Sequence, residues 1–159
     1  MLKRLLTASL CLLALTLCSV GQMEKSSMKK SVGPAPDKAY MQKIWSGWAT
    51  LDTANVAKFY ATGPHIFYDI APLQYGSWEE YEKGVKGVIA GYKSAKFRVN
   101  DDAVVHPHGD LAWGTATVSE EMTTTAGKVE MGNFRWTVVW ENQDGKWLIV
   151  HEHVSAPLQ

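Results

Sequence analysis

From Ala95 to Ser155 the chain is a succession of strand-like runs separated by tight-turn signals, and that succession leaves few folds open. The runs are Lys96–Asp101, Ala103–His106, Leu111–Thr123, Lys128–Glu141 and Trp147–Ser155. His108-Gly109-Asp110, Ala126-Gly127 and Asp144-Gly145 punctuate them, and such residues supply the positive φ angles that tight hairpins require. Neighbours joined this closely must run antiparallel, because a parallel return needs a crossover of a dozen residues or more. The second half is therefore a meander.

The first half reads differently. Asp37 is placed to cap a helix on which Tyr40, Met41, Ile44, Trp45 and Trp48 recur at helical spacing. Asp52 opens a shorter helix carrying Val56, Phe59 and Tyr60, which Gly63-Pro64 ends. His65–Ile70 reads as a short strand, followed by a loop around Pro72 and Gly76. Ser77 caps a third helix with Trp78, Tyr81, Val85, Val88, Ile89 and Tyr92 as its apolar positions. Glycines at 84, 87 and 91 weaken that helix or admit a close neighbour. Helices, one embedded strand and then a long meander make an α+β domain spanning 37–157. A long, twisted antiparallel sheet of this kind wraps round the helices as a cone with a pocket at its open end.

The residues before Asp37 belong to no such element. Lys3 and Arg4 precede an apolar run from Leu5 to Leu17, and Ser19-Val20-Gly21 follows. That is the layout of a secretory signal over 1–21, with cleavage before Gln22, and the run is too short for a membrane span. The expected destination is the periplasm or the exterior. A second reading takes Leu15-Thr16-Leu17-Cys18 as a lipoprotein box acylated at Cys18. Residues 22–36, rich in Lys, Ser and Met and ending Pro34-Ala35-Pro36, read as a flexible linker. Both cysteines, Cys11 and Cys18, fall in the signal, so the mature domain has neither a disulfide nor a thiol nucleophile. Sixteen Lys and Arg balance sixteen Asp and Glu, a neutrality that argues against a nucleic-acid partner.

The last hairpin fixes which side chains share a face. With Asp144-Gly145 as a two-residue turn, Trp136 faces His153, Val138 faces His151 and Trp140 faces Ile149. Strict alternation puts Trp147, Ile149, His151 and His153 on one side, taken as the hollow side, with Leu148, Val150, Glu152 and Val154 on the other. On a central strand Trp113, Thr115, Thr117 and Ser119 alternate, and that face is also expected to point inward. Both faces of the hairpin are rich in apolar residues, so a second copy of the chain is expected to cover the outer one. His151 and His153 read as polar pocket lining or as the start of a metal site that would need His65 or Asp69 as a third ligand. No metal is expected on that spacing alone. With no Ser-His-Asp order, phosphate loop or dinucleotide fingerprint in the sequence, no cofactor is expected either.

The stretch from Asp144 to Ser155, with its Gly-Lys-Trp, Val-His-x-His and Ser elements, resembles the last strand of the SnoaL-like branch of the nuclear-transport-factor-2-like superfamily. It is also similar to the association domain of calcium/calmodulin-dependent kinase II. Phe134–Trp140 resembles the preceding strand, and His65–Asp69 the early strand that often carries an Asp. The resemblance implies a cystatin-like cone and a homodimer through the outer sheet face. In relatives similar to ketosteroid isomerase it implies an Asp near position 69 as general base. That isomerase type also has a tyrosine and an acid where this chain has Ile44 or Trp45, and Thr137 or Val138. The arginines of the association-domain pocket fall near Thr117 and Val138. The expected function is a small-molecule pocket with isomerase-, lyase- or hydrolase-type turnover, in which Asp69 and His151 act. Its walls would be Trp45, Tyr68, Trp113, Thr115, Thr117, Trp136 and His153. The alternative is a non-catalytic homo-oligomeric binding or assembly module.

Overall fold

A computed structural model describes residues 33–70 and 72–157. The expected export signal over 1–21, and most of the expected linker over 22–36, lie outside the described residues.

Helix α1 spans Lys38–Trp48, and the Asp37 carboxylate caps it by accepting from the Tyr40 amide at 2.7 Å. Helix α2 is one turn, Ala54–Ala57, entered where Asp52 accepts from the Ala54 amide. Strand β1 is only Phe67–Tyr68, shorter than the run His65–Ile70. Helix α3 spans Trp78–Ile89, and the Ser77 hydroxyl accepts from the Glu80 amide. The close approach anticipated from the α3 glycines occurs at Gly84, where a Cβ would stand 2.3 Å from the Tyr75 hydroxyl. The helix stops before Tyr92, which opens strand β2, Tyr92–Val99, instead of extending the apolar face of α3.

Four more strands follow: β3 Val104–His108, β4 Leu111–Thr124, β5 Val129–Gln143 and β6 Lys146–Ser155. They form one six-stranded sheet in the order β1-β6-β5-β4-β2, with β3 also on β4. The meander is antiparallel throughout, while β1 joins parallel to β6. Asp144 and Gly145 both have positive φ, 54° and 85°, as a tight hairpin demands.

The sheet curves around α1, which buries Met41, Ile44, Trp45 and Trp48 against it. The inward residues of β4 are small: Ala112, Gly114 and Ala116, then Val118. Their size has a cause. The large rings come from β5, and a Cβ on Gly114 would lie 3.1 Å from the Trp140 ring. Trp113, Thr115, Thr117 and Ser119 consequently face outward, the reverse of the expectation from the sequence; Trp113 is 46% exposed and stacks on His106 at 4.1 Å.

The β5–β6 pairing departs from the simple hairpin at one residue. Trp140 faces Ile149 as expected, but the register shifts there, so Val139 faces His151, Val138 faces Glu152 and Trp136 faces Val154. Val150 is the extra residue of a β-bulge, and a one-residue slip sends every later side chain to the opposite face. Trp147 and Ile149 point into the core, and so do Glu152 and Val154. His151 and His153 do not.

Candidate functional site

The hollow side of the sheet closes over a cavity of about 260 Å³ between α1, α3 and strands β2, β4 and β5. The rings of Trp45, Trp48, Tyr81, Phe97 and Phe134 line it. They come from α1, α3, β2 and β5, so the cavity needs the whole fold. Ile70 and Val88, 55% and 59% exposed, also border it.

Two carboxylates belong to the wall, Asp69 just after β1 and Glu120 on β4. Burial pushes the Asp69 carboxyl above its ordinary value, and its bond from the Ile70 amide, 2.7 Å, only partly offsets this. Glu120 is also raised, first by burial and then by the negative charge of Glu130. Gly132 opposite makes room for it, since a Cβ there would fall 2.5 Å from a Glu120 oxygen.

A third carboxylate lies behind this wall. Glu152 is 2% exposed. Its Oε1 accepts from the Tyr60 hydroxyl and its Oε2 from the Trp136 indole N–H, each at 2.8 Å. The Tyr81 hydroxyl also lies close enough to influence its carboxyl, and the Trp48 indole N–H donates to the Tyr60 hydroxyl at 3.1 Å. Desolvation dominates over these donors and pushes the Glu152 carboxyl up to about 7. Burial, with Glu152 close by, pushes the Tyr60 and Tyr81 hydroxyls well above their usual range. Glu152 therefore sits where a small change of environment moves its proton, and Tyr81 links it to the cavity.

The residues singled out from the sequence separate into three groups. Asp69 and Trp45 border the cavity. Trp136 is buried on the same side, behind the wall, where it packs edge-on against Trp45 at 5.6 Å and donates to Glu152. Tyr68 and His153 lie by a shallow outer depression that Asp69 also touches. Tyr68 contacts His151 and His153 edge-on, at 5.5 and 5.7 Å. The ring of His151 bonds the Ile66 carbonyl oxygen through Nδ1 at 2.7 Å. Trp113, Thr115, Thr117 and the exposed Arg135 share the outer sheet face. No cluster of three or more metal-ligating side chains occurs among the described residues, so His151 and His153 lack the third ligand a zinc site would need.

Glu152 is the residue that sequence reasoning missed. Ile149 and Val154 are both strongly apolar yet differ in parity along β6. That conflict is the sequence trace of the bulge.

Residues 38–159 match the model of the SnoaL-like domain. The chain belongs to the SnoaL-like family. Among solved structures, this SnoaL-like domain is similar to a Xanthomonas campestris protein described as a calcium/calmodulin-dependent protein kinase II association domain. The identity is 26% and the TM-score 0.66, covering 82% of this chain and 95% of that one. A Streptomyces avermitilis protein described as a dehydratase of the nuclear-transport-factor-2-like family shares the fold at 15% identity and TM-score 0.65, covering 76% and 92%. The association domain of Caenorhabditis elegans calcium/calmodulin-dependent kinase II does so at 16% and 0.59, covering 74% and 91%. No curated protein matches the sequence. Among the described residues no helix is long and apolar enough to cross a membrane.

Proposed function

We propose that the concave cavity binds a small, largely apolar molecule and moves a proton on it, with Asp69 as the acid/base. One observation carries this reading. Asp69 stands at an aromatic wall with its carboxyl held toward the protonated form, and Glu152 lies behind it, beside the cavity tyrosine Tyr81. Carboxyls whose pKa is raised toward neutrality are suited to general acid–base work. Tyr81 is the positioning group, an O–H at the wall whose direction depends on the state of Glu152. The fold's occurrence in a protein described as a dehydratase supports chemistry of this class. His151 has no part in it, because its ring is on the other side of the sheet. The domain would act after export.

The test needs no knowledge of the product. Small ketones and enones are incubated with the protein in D₂O, and deuterium entry next to the carbonyl is followed by NMR. The reading expects exchange that Asp69→Asn abolishes while the fold persists by circular dichroism. Exchange that survives Asp69→Asn contradicts it.

A second reading, a homo-oligomeric assembly module, is favoured by the outer face. Val104, Leu111 and Trp113, on paired strands β3 and β4, are 46–49% exposed, an apolar patch of the kind that marks interfaces. Likeness to proteins described as association domains points the same way. The two readings are compatible, since they use opposite faces of one sheet.

A further inference from the structure

The cavity shows an imbalance of charge that the acid–base reading does not use. Asp69 and Glu120 contribute carboxylates to its wall, and among the described residues no Lys, Arg or His lines it. Glu152, one side chain further in, adds a third carboxylate. The ion pairs on the same elements lie elsewhere. Lys86 is taken by Glu82, Lys96 by Glu121 and Lys128 by Glu130.

The rest of the wall is apolar, with the rings of Trp45, Trp48, Tyr81, Phe97 and Phe134 beside aliphatic side chains such as Val85 and Ile89. Rings present a negative face to whatever they enclose, and a cation over such a face gains electrostatically, more so when desolvated. A neutral apolar guest would leave Asp69 and Glu120 further desolvated and uncompensated, and an anion would meet repulsion from both. Of the buried side-chain donors without a partner among the described residues, Trp45, Trp140, Asn142 and Trp147, only Trp45 borders the cavity, which makes its indole N–H the donor nearest to a guest. Trp45 is 6% exposed and borders the cavity, yet its Nε1 has no hydrogen-bond partner among the described residues. Buried donors are rarely left so.

We infer that the cavity takes a small organic cation, an ammonium with an apolar body and one hydrogen-bond acceptor. The ammonium lies among the aromatic rings against Asp69 and Glu120, and the acceptor atom receives the Trp45 N–H. The volume of about 260 Å³ is just below the ~300–1,000 Å³ of pockets for drug-sized ligands, which suits a single-ring compound. This inference rests on the pocket reading above and adds the charge of its ligand.

Binding a cation favours ionised carboxyls, so affinity rises with pH. The groups facing Asp69 are Tyr60, Tyr75, Tyr81 and Glu152. Those facing Glu120 are Glu130 and Tyr92. These are acids. On the outer side His153 shares a depression with Asp69, and Lys96 and Arg98 share another with Glu120. Lys96 is paired with Glu121, and any loss of positive charge there with rising pH repels a cation less, so the trend keeps its sign.

The experiment compares two isosteres that differ by one atom, [3-(hydroxymethyl)phenyl]trimethylammonium and 3-tert-butylbenzyl alcohol. Neither probe titrates. Binding to the full-length protein is read from tryptophan fluorescence and calorimetry at pH 8 and pH 5. The inference expects the cation to bind at least about tenfold tighter at pH 8, a step of roughly 1.4 kcal/mol, with the preference shrinking at pH 5. Asp69→Asn and Glu120→Gln should each reduce the preference without lowering the affinity for the alcohol. Equal or better binding of the neutral alcohol overturns the cation and leaves the pocket standing. Binding of neither probe overturns both.

Discussion

Replacing Glu152 by Gln removes a titrating group from the interior while keeping its shape, and the effect on stability follows from the structure. In the unfolded chain Glu152 loses its proton near the ordinary value of 4.5; in the fold it holds it up to about 7. Between these limits the folded state binds more protons than the unfolded one. Stability from this site is therefore fully present below about pH 4.5 and is lost as pH rises through 7. A difference of two to three pKa units, at about 1.4 kcal/mol each, corresponds to about 3 kcal/mol. The Gln side chain does not titrate. Its carbonyl can accept from the Trp136 indole, and the Tyr60 or Tyr81 hydroxyl can turn to accept from its NH₂ group. Urea unfolding of both proteins is measured in steps from pH 4 to pH 8. The difference in unfolding free energy should move by about 3 kcal/mol across that range, in favour of the variant at high pH. The contribution from Glu120 is common to both proteins and cancels, and that from Asp69 differs only through its charge coupling to Glu152, the smallest of the influences on that carboxyl. Parallel stability curves would refute the reasoning, because they would mean that Glu152 is solvated or ion-paired.

Other consequences test other parts of the structure. Gly84→Val forces a side chain into the space of the Tyr75 ring and should destabilise by about 1–3 kcal/mol; an unchanged urea midpoint would place Tyr75 elsewhere. Trp113→Arg puts a charge in the outer apolar patch. Light scattering should show the mass fall from an oligomer to one chain, and an unchanged mass would remove that face from the interface. His151→Ala removes the bond to the Ile66 carbonyl but leaves the cavity intact, so deuterium exchange catalysed through Asp69 should survive it. Loss of exchange in a folded His151→Ala protein would bring that histidine back into the site.

Much of the fold was legible because its signals are local. Asp37 and Ser77 announce helix starts with a side chain that satisfies a free amide. Asp144-Gly145 announces a hairpin through its backbone angles. The faces were harder to read. A bulge at Val150 reverses alternation along half of β6, and its one trace in the sequence is that the apolar Ile149 and Val154 differ in parity. On β4 the eye follows Trp113, yet the concave side selects small residues there because Trp140 already fills the space above Gly114. Both errors have one form: which face of a strand is buried depends on what the neighbouring strand brings, a long-range fact. Asp69 was found through family resemblance. Glu152 was hidden because, without the bulge, it reads as a surface residue between two histidines.

The account stands on one proton held at neutral pH within the cone. Carbon-detected NMR titration of protein labelled at the glutamate carboxyl carbons measures it directly. One resonance should titrate near pH 7 and be absent from Glu152→Gln. If the resonance lost in Glu152→Gln titrates between about 4 and 5, the interior carboxylate and the chemistry built upon it are wrong.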